Sequence, residues 1–212
     1  MKSRKSLLRR SQLYLILDKQ SFSGRSLESL CSKISRSGVG LIQLRDKVSA
    51  KADVLSLAIK LAKCLEKSKT LFIINDYLDL AVLSKADGLH LGQEDVPLKK
   101  ARSILGKDKI IGVSCHNLRQ ALEAQREGAD YIGIGPVYAT ATKPEYNPIG
   151  LKVLKQLKGK IKIPYFAIGN IGKNNIGKIA ACGSTRIAVC RAILKSRRPE
   201  RAAKELLLAL PK

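Results

Sequence analysis

The chain has 212 residues, 45% of them hydrophobic but only 4% aromatic and none of them Trp, which suits one domain with an aliphatic α/β core. Its net charge of +23 favours anionic partners, either nucleic acid or phosphorylated small molecules, unless the excess only reflects Lys-rich helix faces. The sequence has no arginine-rich block interleaved with aromatic residues, which argues against nucleic acid.

The N-terminal segment is basic, and no long apolar run follows it. Residues 13–17 are apolar but too short for a signal-peptide core or a membrane span, so we expect no membrane association. We expect residues 1–11 to form a disordered basic tail and residues 12–208 to form one domain.

Eight short apolar runs, each followed by a helical pattern, repeat along the rest of the chain. Residues 13–17 are continuously apolar, which predicts a strand buried on both faces, and a helix over 26–37 follows it. The other strands are predicted at 40–45, 71–74, 88–91, 109–114, 131–135, 165–169 and 185–189, and the other helices at 50–67, 77–83, 97–105, 117–127 and 150–157, before Cys182 and from Cys190. This repeat predicts an α/β fold, a single-domain TIM (β/α)8 barrel. A doubly wound sheet is the alternative, but no Gly-rich dinucleotide fingerprint follows the first strand.

The five cysteines do not form a C-x-x-C pair, and their number is odd. This pattern excludes a disulfide framework and a zinc site of the usual spacing, and it indicates a reducing cytoplasm. The sequence leaves the oligomeric state open, so a homo-oligomer is compatible with it.

Polar and small residues follow the predicted strands, where a barrel of this kind carries its active site. The set contains cations and two separate acidic residues but no close nucleophile–base pair. Its members are Gln43, Arg45, Lys47, Asn75, Asp76, Gln93, Asp95, Ser114, His116, Thr140, Thr142, Lys143, Gly169, Val189 and Cys190.

This inventory fits a diphosphate substrate with a divalent metal. Arg45 can hold phosphate oxygens through its guanidinium fork and Lys47 as a compact charge. Asp76 and Asp95 are hard oxygen ligands suited to Mg²⁺ that shares its coordination with phosphates and waters. The alternative is that each carboxylate only caps the helix that follows it.

The last two strand ends indicate a monophosphate site. Loops after the seventh and eighth strands of such barrels commonly bind phosphate, which makes Gly169, Val189 and Cys190 candidates. Gly169 could instead only make a tight turn. His116 could orient substrate or be structural, and His90, among apolar neighbours, is expected to be a hydrogen-bonded core histidine rather than a catalyst.

Several segments, in order along residues 13–194, resemble the thiamine-phosphate synthase family. They are Gln43-Leu-Arg-Asp-Lys47, Ile74-Asn-Asp76, Gly88-Leu-His-Leu-Gly-Gln-Glu-Asp95, Gly112-Val-Ser-Cys-His116, the long run from Asp130 to Lys143 that ends in Thr-Ala-Thr-Lys, and Ala167-Ile-Gly169. The resemblance implies a TIM-barrel transferase that joins hydroxymethylpyrimidine diphosphate to thiazole phosphate, releasing pyrophosphate, in thiamine biosynthesis with Mg²⁺ as cofactor.

The resemblance also implies a role for each matching residue. Asp76 and Asp95 match the Mg²⁺ ligands, and Arg45, Lys47 and Lys143 are the candidate catalytic residues. Pyrimidine-diphosphate contacts are implied for Gln43, Arg45, Lys47, Asn75, Ser114 and Lys143, and thiazole-phosphate contacts for Thr140, Ala141, Thr142, Gly169, Val189 and Cys190.

Three residues depart from the family pattern: Tyr77 stands where Arg is frequent, Asn170 where a second Gly is usual, and Cys190 where Ser is frequent. Two other functions remain open. One is the related thiazole tautomerase, which would use His116 and would not need the diphosphate-binding set. The other is a non-catalytic barrel whose positive surface binds nucleic acid.

Overall fold

The computed structural model describes residues 3–22, 26–142 and 146–211. Eight parallel strands form a closed barrel in chain order, which confirms the predicted TIM-barrel fold. The strands are β1 (Leu13–Asp18), β2 (Leu41–Arg45), β3 (Leu71–Asn75), β4 (Gly88–Leu91), β5 (Ile110–Cys115), β6 (Tyr131–Ile134), β7 (Tyr165–Ala167) and β8 (Ile187–Val189).

The barrel closes because β1 pairs with both of its neighbours, and Leu15 lies opposite Ile42 on one side and Val189 on the other. Continuously apolar strands suit this arrangement, since one face packs inside the barrel and the other against helices. Strand β7 ends two residues earlier than predicted, because Gly169 has φ +111° and turns the chain away from the sheet.

Helices surround the barrel and pack apolar side chains against it, and the first of them does so at the amino ends of the strands. They are α1 (Arg4–Arg10), α2 (Leu27–Ser35), α3 (Lys51–Leu65), α4 (Leu78–Leu83), α5 (Leu98–Leu105), α6 (Leu118–Arg126), α7 (Gly150–Leu157), α8 (Ile176–Ala181), α9 (Arg191–Leu194) and α10 (Pro199–Leu208). Asn117 caps α6 as expected, and its side-chain oxygen accepts from the Gln120 N–H at 2.9 Å. No helix in the described ranges is long and apolar enough to cross a membrane.

The predicted disordered tail over residues 1–11 is wrong for residues 4–10, which form α1. Leu8 is buried and packs with residues at the amino ends of the strands, where α1 closes the barrel. Arg4 Nε donates to Asp87 Oδ1 at 2.7 Å, and Arg186 Nη2 donates to the Arg9 carbonyl at 2.9 Å. These contacts fix a segment whose basic composition alone suggested disorder.

Candidate active site

The carboxyl ends of the strands surround a cavity of about 630 Å³, where the sequence analysis placed the functional side chains. A separate cluster beside this cavity contains Lys47, Asp76 and Asp95. Ala141 is exposed at the edge of the cavity, and Lys143 lies outside the described residues. The predicted residues that line the cavity are Gln43, Arg45, Asn75, Ser114, His116, Thr140, Thr142, Gly169, Val189 and Cys190.

Asp76 holds its place through an uncommon backbone conformation directly after β3. Its φ is +61°, in the left-handed region, and its N–H donates to the His90 carbonyl at 2.8 Å. The Asp76 carboxylate accepts from the Lys47 ammonium. Partial burial acts to lower the pKa of Lys47, but the Asp76 contact outweighs it and raises that pKa above its ordinary value. The ammonium also lies 5.7 Å from the centre of the Tyr77 ring.

Asp95 follows β4, and its carboxyl approaches that of Asp76. Its Oδ2 accepts from the Gly92 N–H at 2.6 Å, which fixes the turn after the strand. Burial, and next the Asp76 carboxyl, raise the pKa of Asp95 above its ordinary value. Among the described residues, two neighbouring carboxyl groups therefore lie beside the Lys47 ammonium, and a divalent cation would offset the repulsion between them.

The alternative that these carboxylates only cap helices does not hold. Helix α4 is preceded by Tyr77 and α5 by Pro97, and neither helix start has a side-chain capping bond. The donor set fits Mg²⁺, a hard cation that takes oxygen ligands. Among the described residues no group of three or more His, Cys, Asp or Glu side chains could hold a metal, so such an ion would complete its coordination with phosphate and water oxygens.

Arg45 reaches the cavity wall in a buried ion pair that the sequence analysis missed. Its Nη1 lies 2.7 Å from Asp18 Oδ1, and the other Asp18 oxygen accepts from the N–H and the hydroxyl of Ser21 at 3.1 and 2.6 Å. Arg45 Nε is buried without a hydrogen-bond partner in the described part of the chain. The pairing with Asp18 fixes the guanidinium at the end of β2. A polar residue ending β1, like those ending β2 and β3, was the signal available in the sequence.

His90 is buried and hydrogen-bonded, as expected for a core histidine, but it also lines the cavity. Its Nδ1 lies 3.1 Å from the Tyr131 hydroxyl and its Nε2 lies 2.9 Å from the Ser114 hydroxyl. Tyr14, which also reaches the cavity, accepts a hydrogen bond from the Gln43 amide. Two predicted site residues, Gln43 and Ser114, are therefore hydrogen-bonded to buried polar side chains.

His116 comes directly after β5 and also lines the cavity. Its Nδ1 lies 2.6 Å from the Gly135 carbonyl oxygen, which makes that nitrogen the N–H donor. The Tyr146 ring stacks on the imidazole with the ring centres 4.7 Å apart. The loop with Thr140 and Thr142 lies between these two residues in the sequence, and the Thr142 N–H donates to the Thr140 hydroxyl oxygen at 3.4 Å.

The chain after β7 makes a turn that brings backbone groups to the cavity. A Cβ added to Gly169 would lie 2.6 Å from Pro136 Cα and Val137 N, so both its φ of +111° and this close approach require glycine. Asn170 stands where the family usually has a second Gly and adopts φ +49°. Asn tolerates this left-handed conformation better than most residues, so the turn is kept. Asn175 Nδ2 donates to the Asn170 carbonyl at 2.9 Å and steadies the turn.

Cys190 lies between β8 and α9 on the same side of the cavity. Burial raises the pKa of the Cys190 thiol, with smaller effects from Ser21 and Asp18. The side chain therefore stays a thiol rather than a thiolate, which is the nucleophilic form.

A closed (β/α)8 barrel that gathers charged and polar side chains around one cavity at the carboxyl ends of its strands has the arrangement of a TIM-barrel enzyme. A family model described as thiamine monophosphate synthase matches residues 13–193. The chain is 43% identical over 187 residues to a thiamine-phosphate synthase of Clostridium acetobutylicum, covering 88% of this chain and 89% of that one. Its identity to the thiamine-phosphate synthase of Clostridium novyi is 42% over 196 residues, covering 92% and 96%. The chain belongs to the thiamine monophosphate synthase family.

A solved structure supports the same assignment. The thiamine phosphate pyrophosphorylase of Pyrococcus furiosus superposes with a TM-score of 0.85 at 31% identity, covering 97% of this chain and 96% of that one. The resemblance inferred from the motifs and the predicted barrel are both confirmed.

Proposed function

We propose that this chain is a thiamine-phosphate synthase, a transferase that condenses hydroxymethylpyrimidine diphosphate with thiazole phosphate. The observation that carries this proposal is the shape of the cavity. It extends without interruption from Gln43, Arg45 and Ser114 to Gly169 and Cys190, so that two phosphorylated substrates could meet in it. The printed names of the similar proteins agree with this activity.

The pyrimidine diphosphate would lie at the end of the cavity formed by β2, β3 and β5. Gln43, Asn75 and Ser114 offer hydrogen bonds there, and Arg45 offers a positive charge on the wall of the same cavity. Lys47, held beside Asp76, and Lys143 would add two further cations for the diphosphate.

Asp76 and Asp95 would hold Mg²⁺ together with diphosphate oxygens. The bound ion would supply charge neutralisation for the departing pyrophosphate. The approach of the Asp95 and Asp76 carboxyl groups supports this assignment, because a cation bound between them would offset their mutual repulsion.

The thiazole phosphate would occupy the other end of the cavity. Its phosphate would meet backbone groups at Gly169, Val189 and Cys190, where the left-handed Gly169 leaves no side chain in the way. The loop at Thr140, Ala141 and Thr142 would contact the same substrate. Cys190 in place of Ser is tolerated if the backbone makes the contact.

The reaction breaks the bond from the pyrimidine methylene carbon to a diphosphate oxygen and forms a bond from that carbon to the thiazole nitrogen. The bonding electrons leave with pyrophosphate, and the amino-pyrimidine stabilises the carbocation until the nitrogen lone pair captures it. Arg45 and Lys47 would neutralise the leaving group, and the cavity would align the two partners. This chemistry requires no nucleophile–base pair.

The five cysteines are free thiols, which supports a reducing compartment, and we propose a cytoplasmic location.

Incubation of the protein with both substrates and Mg²⁺, followed by chromatography, tests the proposed function. Thiamine phosphate should appear and should be lost with a chelator or in Asp95→Ala. Absence of product from folded wild-type protein contradicts the synthase. If the protein instead isomerises the thiazole phosphate without the pyrimidine, the tautomerase reading, in which His116 carries the proton, replaces it.

A further inference from the structure

A continuous chain of hydrogen bonds crosses the barrel interior beneath the cavity. The Gln43 amide nitrogen donates to the Tyr14 hydroxyl, which lies 2.8 Å from the Tyr131 hydroxyl. The Tyr131 oxygen lies 3.1 Å from His90 Nδ1, and His90 Nε2 lies 2.9 Å from the Ser114 hydroxyl oxygen. The chain thus joins two residues on separate strands of the cavity wall, Gln43 and Ser114.

The two phenols in the middle of this hydrogen-bond chain have almost no exposed surface. Tyr14 and Tyr131 are almost completely buried, and the ring of Phe166 packs at the edge of both. Burial raises the pKa of each phenol well above its usual range, so each carries one hydrogen at neutral pH. Gly112 makes room for the Tyr131 ring, since a Cβ there would lie 2.1 Å from the ring.

The number of hydrogens on these groups fixes which group donates and which accepts in each bond of the hydrogen-bond chain. Tyr14 accepts from Gln43, so its own hydrogen must go to Tyr131, because the described residues offer the Tyr14 hydroxyl no other partner. The Tyr131 hydrogen must then go to His90 Nδ1. A neutral imidazole that accepts at Nδ1 carries its hydrogen on Nε2 and donates it to Ser114.

Both ends of the chain are fixed by this order. Ser114 accepts from His90, so its own hydrogen is available to donate into the cavity. Gln43 uses one amide hydrogen on Tyr14 and presents its second N–H and its carbonyl oxygen side by side. Rotating the Gln43 amide by half a turn would reverse every bond and would turn the Ser114 hydrogen back towards His90.

We propose that Tyr14, Tyr131 and His90 are positioning residues that couple Gln43 to Ser114 and select the amino form of the pyrimidine. This inference rests on the proposed function. An adjacent N–H donor and carbonyl acceptor match the edge of a 4-aminopyrimidine, in which a ring nitrogen accepts and the amino group donates. A 4-oxopyrimidine carries the opposite pattern and would require the rotated amide, which the coupled chain opposes.

Nitrogen-15 NMR tests the order of the hydrogens without any substrate. The chain has two histidines, so the His90 signals can be assigned with a His116 variant. The wild-type protein should carry the His90 proton on Nε2 alone at neutral pH. Tyr131→Phe should show protonated Nδ1 as well. A proton on His90 Nδ1 of the wild-type protein overturns the proposed order.

Calorimetry with Mg²⁺ and without thiazole phosphate tests the selection of the pyrimidine. The ratio of Kd values for the 4-oxo and 4-amino pyrimidine diphosphates should fall about ten-fold in Tyr131→Phe and in Tyr14→Phe, the factor that one ordinary hydrogen bond is worth. The control is Tyr165→Phe, which removes a phenol that donates to the Gly183 carbonyl at 3.5 Å, away from the cavity, and should leave the ratio unchanged.

The possible results distinguish the positioning role of Tyr14 and Tyr131 from the proposed synthase activity. If the wild-type protein binds neither diphosphate, the proposed function and the selection of the pyrimidine both fail. If it prefers the 4-amino compound and both folded Phe variants keep that preference, the positioning role is refuted and the synthase stands.

Discussion

Replacing Asp18 with Asn should destabilise the protein more than its small change in shape suggests. One Asp18 oxygen serves the Arg45 guanidinium at 2.7 Å and the other serves the N–H and hydroxyl of Ser21. An amide has only one oxygen, so Arg45 or Ser21 would face an N–H group instead of an acceptor. The pair is well buried, with side-chain exposures of 12% for Arg45 and 4% for Asp18. We therefore expect a loss of about 2–4 kcal/mol in the free energy of unfolding.

Urea denaturation at pH 7 measures this loss, with Asp79→Asn as the matched control. Asp79 pairs with Lys51 at 3.0 Å, but both side chains are more than half exposed, and loss of this pair should cost below about 1 kcal/mol. Equal effects of the two substitutions, or a change below about 0.5 kcal/mol for Asp18→Asn, would refute the assignment of a buried, doubly used carboxylate.

Asp95→Asn should abolish Mg²⁺-dependent turnover. The same substitution should raise the melting temperature of the metal-free protein at pH 7. Folding raises the pKa of Asp95, so ionisation of this carboxyl lowers the stability of the folded protein as pH rises through that pKa. The gain in melting temperature from Asp95→Asn should therefore shrink at acidic pH. A lower melting temperature of the variant at pH 7 would contradict this. Leu8→Ala should cost about 2–4 kcal/mol in urea denaturation, because Leu8 is 2% exposed in the closed end of the barrel. Leu208→Ala, at a position 84% exposed, is the control, and equal costs would show that α1 does not pack as described.

The barrel could be predicted because each strand is a short apolar run and each following helix has an apolar face. The same logic placed Asp76 and Asp95 together, since adjacent parallel strands end at the same edge of the barrel. Their approach to each other, and to Lys47 just after β2, agrees with the order of the strands in the barrel.

Other features depend on contacts between residues distant in the sequence. Helix α1 is held by pairs such as Arg4–Asp87, separated by 83 positions, so its basic composition alone indicated disorder. The Tyr14–Tyr131 bond joins strands that are not neighbours in the barrel, and it requires the space left by Gly112. Periodicity reports which face of a strand is buried, but not which side chains meet across the interior.

The stoichiometry of the two products tests the central claim most directly. With both substrates and Mg²⁺ present, the protein should release thiamine phosphate and pyrophosphate in equal amounts, and neither should form when either substrate is omitted. Pyrophosphate or phosphate release without thiamine phosphate would show that the cavity does not join two substrates, and it would contradict the proposed synthase.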